Sequence, residues 1–304
     1  MTRSDPPAPV RLIRVVRPGP FTTLQDLGRR GRGHQGVARS GAFDLASFRL
    51  ANRIVGNVPT AAALEVLLGP CEFEALESAV LATTGTDAVV TVIGVQPGER
   101  EAVPNCAFAV ARGERVVIGV PRNGLRTYLS VRGGFSPSPV LGSRSYDSLG
   151  QIGPPPLTSG DELPIGGDFE ADAWFEPAPR RETADRSTVD LLLGPRHDWL
   201  SGESLDQLAE LSWTIDAASN RTGVRFAGPT LQRRADELAS EAMIPGAVQL
   251  PLSGLPIVLG PDGGTTGGYP VIGVIPQSGI DILAQRRPGD PVHFRVVRAG
   301  LQVR

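Results

Sequence analysis

The chain has 304 residues, enough for one large or two ordinary domains with full hydrophobic cores, and we predict two. Hydrophobic residues make up 40% of the sequence and charged residues 20%, and the formal net charge at pH 7 is −2. This balance is typical of a globular protein that is stable in water. It favours neither a nucleic acid nor an anionic membrane surface as a partner.

The chain contains no lysine, so all 30 of its basic residues are arginine. Schiff-base catalysis, a phosphate-binding P-loop and a biotinylated lysine all require a lysine side chain. These chemistries are therefore excluded for this chain, and any biotin must be carried by another protein.

The sequence has few residues suited to binding a metal. Cys71 and Cys106 lie in separate apolar surroundings, where we expect buried free thiols, with a disulfide as the alternative. His34, His197 and His293 are far apart in the sequence. We predict no metal site.

Glycine (37 residues) and proline (28 residues) separate many short apolar runs, which predicts a mainly β protein with tight turns. One amphipathic helix is predicted to begin at residues 40–44, where Ser40 or Asp44 is suited to cap it, and to end at Gly56. Asn52 lies on its apolar face and either binds buried backbone groups or points into a site. The predicted strands of the first half are 10–16, 63–67, 71–75, 79–82, 88–92, 107–110, 115–118 and 126–131.

The second half begins after residues 167–187, a charged stretch in which the apolar periodicity of the predicted strands is lost. It contains a short predicted helix at 205–210 and predicted strands at 189–195, 213–215, 256–259 and 271–275. Residues 219–226 are predicted to form a polar turn that leads into a strand, and residues 288–297 a turn followed by the closing strand. Residues 1–9 are polar and proline-rich, and no segment resembles a signal peptide or a membrane span, so we expect a cytoplasmic protein. The predicted organisation is a disordered N-terminus (1–9), a first domain (10–170), a linker (171–187) and a second domain (188–304).

Residues 260–270 (GPDGGTTGGYP) form a polar glycine loop between two β-branched runs. Glycines let the backbone adopt positive φ and let a ligand approach closely, while one carboxylate and three hydroxyls supply polar contacts. No lysine and no helix follow, so the loop is not a P-loop or a dinucleotide fingerprint. Two interpretations remain, a hairpin that needs glycine for its turns and a ligand-binding loop.

Five segments, taken in order, resemble the KipA family. They are 25–29 (QDLGR), 40–44 (SGAFD), 49–57 (RLANRIVGN), 246–251 (GAVQLP) and 265–270 (TTGGYP). This family is also called the biotin-dependent carboxyltransferase or allophanate hydrolase subunit 2 family, and it includes the C subunit of bacterial 5-oxoprolinase. The resemblance extends over nearly the whole chain.

The resemblance implies two cyclophilin-like β-barrel domains, in agreement with the predicted strands. It also implies one component of an ATP-dependent 5-oxoprolinase that opens 5-oxo-L-proline to L-glutamate together with a KipI-like subunit and a LamB/YcsF-like subunit. The chain has no nucleotide motif, so ATP would be used by the complex. Two alternatives are a carboxyltransferase that moves CO2 from carboxybiotin on a separate protein to urea or a related amide, and a non-catalytic regulator that binds a KipI-like partner.

Three loops depart from the family pattern. The usual Asp-Arg-Gln before TTGGYP is here Asp262-Gly263-Gly264, and the lysine that often follows is Val271. The family's Ser-Asp-Arg-Met-Gly and Ser-Glu-Gly-Ile correspond to residues 219–223 (SNRTG) and 240–243 (SEAM). These changes alter the charge of the loops, so they bear on the substrate more than on the fold.

We predict a site where the polar loops converge. Lactam opening and carboxyl transfer both develop negative charge on oxygen, which arginine and hydroxyl groups are suited to hold. The predicted catalytic residues are Asp26 and Glu241, as proton acceptors, and Arg221, as an anion holder. The predicted substrate-binding residues are Gln25, Arg29, Ser40, Asp44, Ser240, Gln249, Thr265, Thr266 and Tyr269.

Structural roles are the alternative for several of these residues. Asp26, Ser40 and Asp44 are equally suited to capping turns and the helix, and Arg29 to pairing with Asp26. Gln249, like Glu65, lies among apolar strand residues, where hydrogen bonding within the fold is the commoner role.

Overall fold

A computed structural model describes residues 11–179 and 187–297. The predicted disordered segment 1–9 and residues 180–186 of the predicted linker lie outside the described residues. The strands are β1 (Arg11–Arg17), β2 (Phe21–Gln25), β3 (Ala63–Leu67), β4 (Cys71–Ala75), β5 (Ala79–Thr84), β6 (Val90–Ile93), β7 (Glu99–Ala102), β8 (Ala107–Val110), β9 (Arg115–Ile118), β10 (Arg126–Val131), β11 (Glu162–Ile165), β12 (Thr188–Leu193), β13 (Ser212–Ile215), β14 (Gly223–Ala227), β15 (Glu241–Ala242), β16 (Ala247–Gln249), β17 (Ile257–Leu259), β18 (Thr266–Gly267), β19 (Val271–Val274) and β20 (Pro291–Val297). The α-helices are α1 (Leu45–Ile54), α2 (Gly202–Glu210) and α3 (Gln277–Ala284). Short 3-10 helices span Gly33–Gln35 and Pro195–Trp199.

The N-terminal half consists of two facing sheets. One has the strand order β11-β1-β4-β9-β6-β7 and the other β2-β3-β10-β5-β8. Backbone bridges from Phe135 to Ala62 and to Ile165 join the two sheets at one side. Side chains that alternate along the strands, such as Val15, Phe73 and Leu129, fill the space between them. The barrel-like arrangement excludes water from one continuous core.

The C-terminal half is a closed barrel with the order β12-β19-β16-β17-β14-β13-β20. Parallel pairing of β12 with β20, in which Val189 lies opposite Phe294, closes the ring. Trp213, Phe226 and Phe294 pack together inside it, with the rings of Phe226 and Phe294 5.1 Å apart. The predicted mainly β fold is confirmed, and within the described residues no helix is long and apolar enough to cross a membrane.

Helix α1 forms where the sequence predicts it. Asp44 is its N-cap and accepts a hydrogen bond from the Ser47 backbone N–H at 2.9 Å. The buried face of α1 packs on the N-terminal half, and its other neighbour is α3 from the C-terminal half. The sequence did not predict α3, because Pro276 precedes it without a side-chain cap and Gly279 interrupts its short apolar pattern.

The two cysteines, Cys71 and Cys106, are buried free thiols, so the alternative of a disulfide does not apply. Burial raises the pKa of the Cys71 thiol to about 12, which keeps it protonated at neutral pH. This cysteine therefore packs as a small apolar residue of the core.

Asn52 satisfies buried polar groups, the first of the two roles considered for it. Its amide nitrogen donates to the Ala61 carbonyl at 2.8 Å. Its oxygen accepts from Asn57 Nδ2 and Ser130 Oγ, both at 3.0 Å. The side chain thus fixes the end of α1 to the strand β10 beneath it.

We predict that Asn52→Ala lowers the free energy of unfolding by roughly 1–3 kcal/mol, because it leaves buried donors and acceptors without partners. Urea denaturation of the full chain measures this loss. Arg53→Ala, at the exposed neighbouring position of the same helix, is the matched control and should leave the midpoint nearly unchanged. Equal midpoints for the two variants would show that the Asn52 contacts add no stability.

Candidate functional site

Arg221 lies at the centre of a buried charge cluster that joins the two halves. Its Nε and Nη2 atoms donate to the two carboxylate oxygens of Asp262 at 2.8 and 3.0 Å. Its Nη1 donates to Glu65 Oε1 at 2.6 Å, and Nη2 also donates to the Gly41 carbonyl at 2.7 Å. Burial favours a lower pKa for Arg221, but the two adjacent carboxylates raise it above its ordinary value. Arg221 is therefore a permanent cation whose donors are already used.

Glu65 is the carboxylate that the N-terminal half contributes to this cluster. It accepts hydrogen bonds from the Phe43 backbone N–H at 3.0 Å and from the Tyr128 hydroxyl at 2.7 Å. Arg126 Nε lies 3.3 Å from it. Burial favours a higher pKa for Glu65, yet Arg221 and Arg126 lower the pKa below its ordinary value. The buried charge cluster of Glu65, Arg126, Arg221 and Asp262 thus combines two arginines with two carboxylates, so its formal charges cancel.

Asp44 acts as a helix cap and as a link between the halves. Besides Ser47, its carboxylate accepts a hydrogen bond from Gln285 Nε2 at 2.8 Å. Gln285 also accepts hydrogen bonds from the backbone N–H groups of Leu125 and Arg126, both at 2.9 Å. The geometry supports the capping alternative for Asp44, and its predicted contact with substrate stays a prediction.

Asp26 organises the loop that follows β10. Its carboxylate accepts hydrogen bonds from the Ser143 and Ser145 hydroxyls, both at 2.6 Å. It also accepts from the backbone N–H groups of Gly28 and Arg144, both at 2.7 Å. Four donors hold this buried side chain, and the structure therefore favours a structural role for it.

Arg29 is almost completely buried and is not paired with Asp26. Its Nε donates to the Val140 carbonyl at 3.1 Å, and Nη2 donates to the carbonyls of Ser145 and Ile152. The Nη1 atom is buried and has no hydrogen-bond partner in the described part of the chain. Burial lowers the pKa of Arg29, although nearby carboxylates oppose the decrease. An unpartnered guanidinium nitrogen next to a cavity is suited to bind an anion.

Two other predicted residues also have buried oxygens without a partner among the described residues. The Gln25 amide nitrogen donates to Thr23 Oγ1 at 3.0 Å and to the Tyr146 carbonyl at 3.1 Å, but Gln25 Oε1 accepts no hydrogen bond. Ser40 donates through its backbone to the Pro261 carbonyl at 2.8 Å, while its hydroxyl is unpaired. Gln25 ends β2 and Ser40 lies in the loop before α1, so each offers an unused polar atom in a chain segment close in sequence to Arg29.

A cavity of 790 Å³, which we call the loop cleft, opens beside these loops. Residues from 29–39 line one side, and residues 242–245, 259 and 263–266 line the other. Thr265 and Thr266 contribute hydroxyls. The backbone N–H groups of Gly264 and Thr265 have no acceptor within the described residues. The cleft therefore combines cations with free hydrogen-bond donors.

The side chains that line the loop cleft carry positive charge. Arg29, Arg30 and Arg39 line it, and no carboxylate does so in the described part of the chain. Burial lowers the pKa of Arg39, and the positive charges of Arg30 and Arg49 lower it further. Because like charges repel and no carboxylate lies among them, an anionic ligand would relieve this repulsion.

The remaining predicted residues lie behind the cleft or at its edge. Glu241 pairs with Arg196 and lies opposite Gly267 in the β15–β18 ladder. Gln249 is buried, with its amide nitrogen 3.5 Å from the sulfur of Met243. Ser240 and Tyr269 are exposed. Of the predicted site residues, Arg29, Thr265 and Thr266 line the loop cleft. Arg221 lies in the buried charge cluster, and Asp44 lines a separate cavity where the two halves meet.

The sequence did not point to Arg39, Arg126 or Gln285. Arg39 occurs in a loop with several arginines, any of which could face solvent. Arg126 and Gln285 act through partners in distant parts of the chain, and no local pattern identifies such partners.

Comparison with known proteins places the chain in a family. Residues 35–296 match the family described as "Carboxyltransferase domain, subdomain A and B". The chain is 36% identical over 289 residues to the C subunit of 5-oxoprolinase from Escherichia coli K12, an alignment that covers 93% of this chain and 90% of that protein. The chain belongs to the carboxyltransferase domain family, as the resemblance predicted.

Larger proteins contain the same unit. Urea amidolyase of Saccharomyces cerevisiae is 30% identical over 315 residues, covering 93% of this chain and 16% of that protein. The crystal structure of TTHA0988 superposes with a TM-score of 0.84 at 34% identity, over 95% of this chain and 56% of that one. The Kluyveromyces lactis urea amidolyase structure gives 0.84 at 28% identity, over 94% of this chain and 18% of that one. The fold therefore also occurs as a part of much longer proteins.

We predict that Glu65→Gln destabilises the protein by roughly 3–5 kcal/mol, because it leaves two buried arginines with one carboxylate. The pKa of Glu65 is below its ordinary value in the folded state. Its contribution to the free energy of unfolding is therefore complete above the pKa of the unfolded state, and it is lost as the pH falls through the pKa of the folded state. Unfolding by urea at several acidic pH values measures both effects.

The control for this variant is Glu162→Gln, which removes an exposed partner of Arg14. Surface pairs contribute little, so its midpoint should stay close to that of the unmodified chain. If both variants lost the same stability, the buried charge cluster would not be the interaction that holds the halves together.

Proposed function

We propose that this chain is a subunit of an ATP-dependent 5-oxoprolinase, and that its loop cleft binds the carboxylate and the lactam carbonyl of 5-oxo-L-proline. The observation that carries the proposal is the positive charge of Arg29, Arg30 and Arg39, which line the cleft with no carboxylate among its described lining residues. The similarity to the C subunit of E. coli 5-oxoprolinase, over 90% of that protein, supports the same reaction.

The reaction opens a five-membered lactam. Water adds to the carbonyl carbon, the C–N bond breaks, and the nitrogen takes up a proton to become the amino group of glutamate. Negative charge develops on the carbonyl oxygen during the addition. The free N–H groups of Gly264 and Thr265, with the hydroxyls of Thr265 and Thr266, are suited to hold that oxygen.

The cations of the cleft serve the substrate's carboxylate in this proposal. Arg39 and Arg30 make no ion pair within the described residues, and a carboxylate between them would restore neutrality. Glu241, partly exposed and paired with Arg196, is the proposed proton acceptor. Asp26 is less suited to that task, because four donors already hold it.

In this proposal ATP binds to another protein of the complex. A lysine to bind the phosphates is absent from the sequence, and no carboxylate in the described residues of the loop cleft offers a ligand to the magnesium ion that accompanies ATP. When bound there, ATP supplies the free energy for opening the lactam. The proposed partners are a KipI-like subunit and a LamB/YcsF-like subunit, which work together with this chain in the cytoplasm.

A carboxyltransferase is the second candidate, favoured by the family's description and by the 30% identity to urea amidolyase. In that case the cleft would hold carboxybiotin from a separate carrier, and CO2 would pass to urea or a related amide. Carboxybiotin is also an anion, so the charge of the cleft does not separate the two candidates. A regulator that only binds a KipI-like partner is the third.

The test is reconstitution of the chain with both proposed partners, followed by an assay of glutamate release from 5-oxoproline and ATP. We expect activity only when all three proteins are present. Transfer of CO2 to urea that depends on a biotinylated carrier would support the second candidate instead. Partner binding without turnover of either substrate would support the regulator.

We predict that Arg39→Ala raises KM for 5-oxoproline by about tenfold or more with a smaller change in kcat, because it removes a charged contact to a part of the substrate that does not react. Steady-state kinetics of the reconstituted complex measure both constants. The control is Arg112→Ala, which removes an exposed arginine remote from the cleft and should leave both constants unchanged. If Arg39→Ala left KM unchanged, Arg39 would not be a contact of the substrate.

A further inference from the structure

A second cavity, of 550 Å³, lies where the two halves meet. We call it the junction cavity. The N-terminal half contributes the start of α1, residues 85–87, Asn105 and residues 122–124. The C-terminal half contributes α3 and residues 285–290. The junction cavity shares no lining residue with the loop cleft, so it is a separate site.

Asp281 supplies negative charge to the junction cavity. Its Oδ1 accepts hydrogen bonds from the Leu45 backbone N–H and from Gln277 Nε2, both at 2.9 Å. Among the described residues no cation forms an ion pair with this carboxylate. Burial raises the pKa of Asp281 to about 6, and the charge of Asp44 contributes to the increase. A cationic group of a ligand would stabilise the ionised carboxylate.

Arginines supply positive charge to the same cavity. Arg286 Nε is buried without a partner in the described part of the chain, and the guanidinium group lies 3.8 Å from Asp290. Arg122 also lines the cavity, is exposed, and makes no ion pair within the described residues. The junction cavity therefore offers both signs of charge, whereas the loop cleft offers only cations.

Asn105 adds a polar side chain to the wall of the junction cavity. Its side-chain amide makes no hydrogen bond in the part of the chain that the structure describes. The amide is therefore available to a ligand as both a donor and an acceptor. The buried donor without a partner that lines this cavity is Arg286 Nε, and a ligand that accepts a hydrogen bond from it would remove the cost of leaving it unpaired.

We propose that the junction cavity binds a zwitterionic amino acid, with its ammonium group at Asp281, its carboxylate at Arg286 and Arg122, and a hydrogen bond to Asn105. Such a ligand would contact both halves, so its binding would stabilise their junction. The class of ligand follows from the two signs of charge and does not depend on the reaction. The choice of L-glutamate as the first probe does rest on the proposed function, because glutamate is the product of that reaction.

The experiment measures binding of L-glutamate to the full chain by titration calorimetry and by the shift of the thermal unfolding midpoint. We expect one binding site and a higher midpoint. Asn105→Ala and Asp281→Asn should each weaken binding by about tenfold or more, the loss expected for a charged or buried hydrogen bond. Arg112→Ala, at an exposed arginine that lines neither cavity, should leave glutamate binding unchanged.

Asp281→Asn keeps an oxygen that can accept from Leu45, so the variant retains the contact between α3 and α1. Arg122→Ala changes only an exposed side chain that makes no ion pair among the described residues, and it supplies a second test that does not disturb folding. We expect it to weaken glutamate binding as well. The proposal would be overturned if neither glutamate nor any other common amino acid bound to the chain. It would also be overturned if Asp281→Asn and Asn105→Ala left the affinity for glutamate unchanged.

The matched ligand is 5-oxo-L-proline, which has the carbon skeleton of glutamate but no ammonium group. It should not compete with glutamate for the junction cavity, and competition would show that the ammonium group is not recognised there. Failure of 5-oxoproline to bind anywhere on the chain would count against the proposed function alone. The two proposals can therefore fail separately.

Discussion

The ion pairs of Arg221 with Glu65 and Asp262 are the interaction on which the arrangement of the loops depends. Placing a guanidinium group in a protein interior costs several kcal/mol, and the cost is offset only when carboxylates and hydrogen bonds surround it. Here Glu65 comes from the first half and Asp262 from the second, 156 and 41 residues away from Arg221. Asp262 opens the glycine loop, while Gly41 belongs to the loop before α1. One cation thus positions both loops beside the cleft.

Backbone packing makes this arrangement specific. A Cβ atom at Gly260 would lie 2.1 Å from the Arg221 carbonyl oxygen, so no larger residue fits between the loop and the arginine. The arginines of the loop cleft have a different environment, because no carboxylate of the described residues lines that cavity. Arg221 forms ion pairs with two carboxylates within the fold, whereas Arg30 and Arg39 form no ion pair among the described residues. This difference separates a structural arginine from arginines suited to bind a ligand.

Local patterns in the sequence were sufficient to predict much of the fold. Alternating apolar residues predicted most strands, and the spacing of Leu45, Phe48 and Ala51 with the cap Asp44 predicted α1. They did not predict α3, which lacks a capping side chain. Nor did they show that Arg221 pairs with Glu65, because pairing between distant residues depends on how the halves dock. For the same reason, local patterns could not distinguish the arginines of one loop that face a cavity from those that face solvent.

The glycine loop has no charged side chain after Asp262. The resemblance implies an arginine and a glutamine at the positions that Gly263 and Gly264 occupy in this chain. A Cβ at Gly263 would lie 3.1 Å from the Gly260 carbonyl oxygen, whereas at Gly264 the nearest atom would be 3.5 Å away, so a side chain at Gly264 has room beside the cleft. Its absence widens the cleft and exposes the backbone N–H groups of Gly264 and Thr265. Among the described lining residues of the cleft, the arginines lie on the opposite loop. In the proposed reaction this favours an orientation with the carboxylate of 5-oxoproline on that side and its lactam carbonyl against the glycine loop.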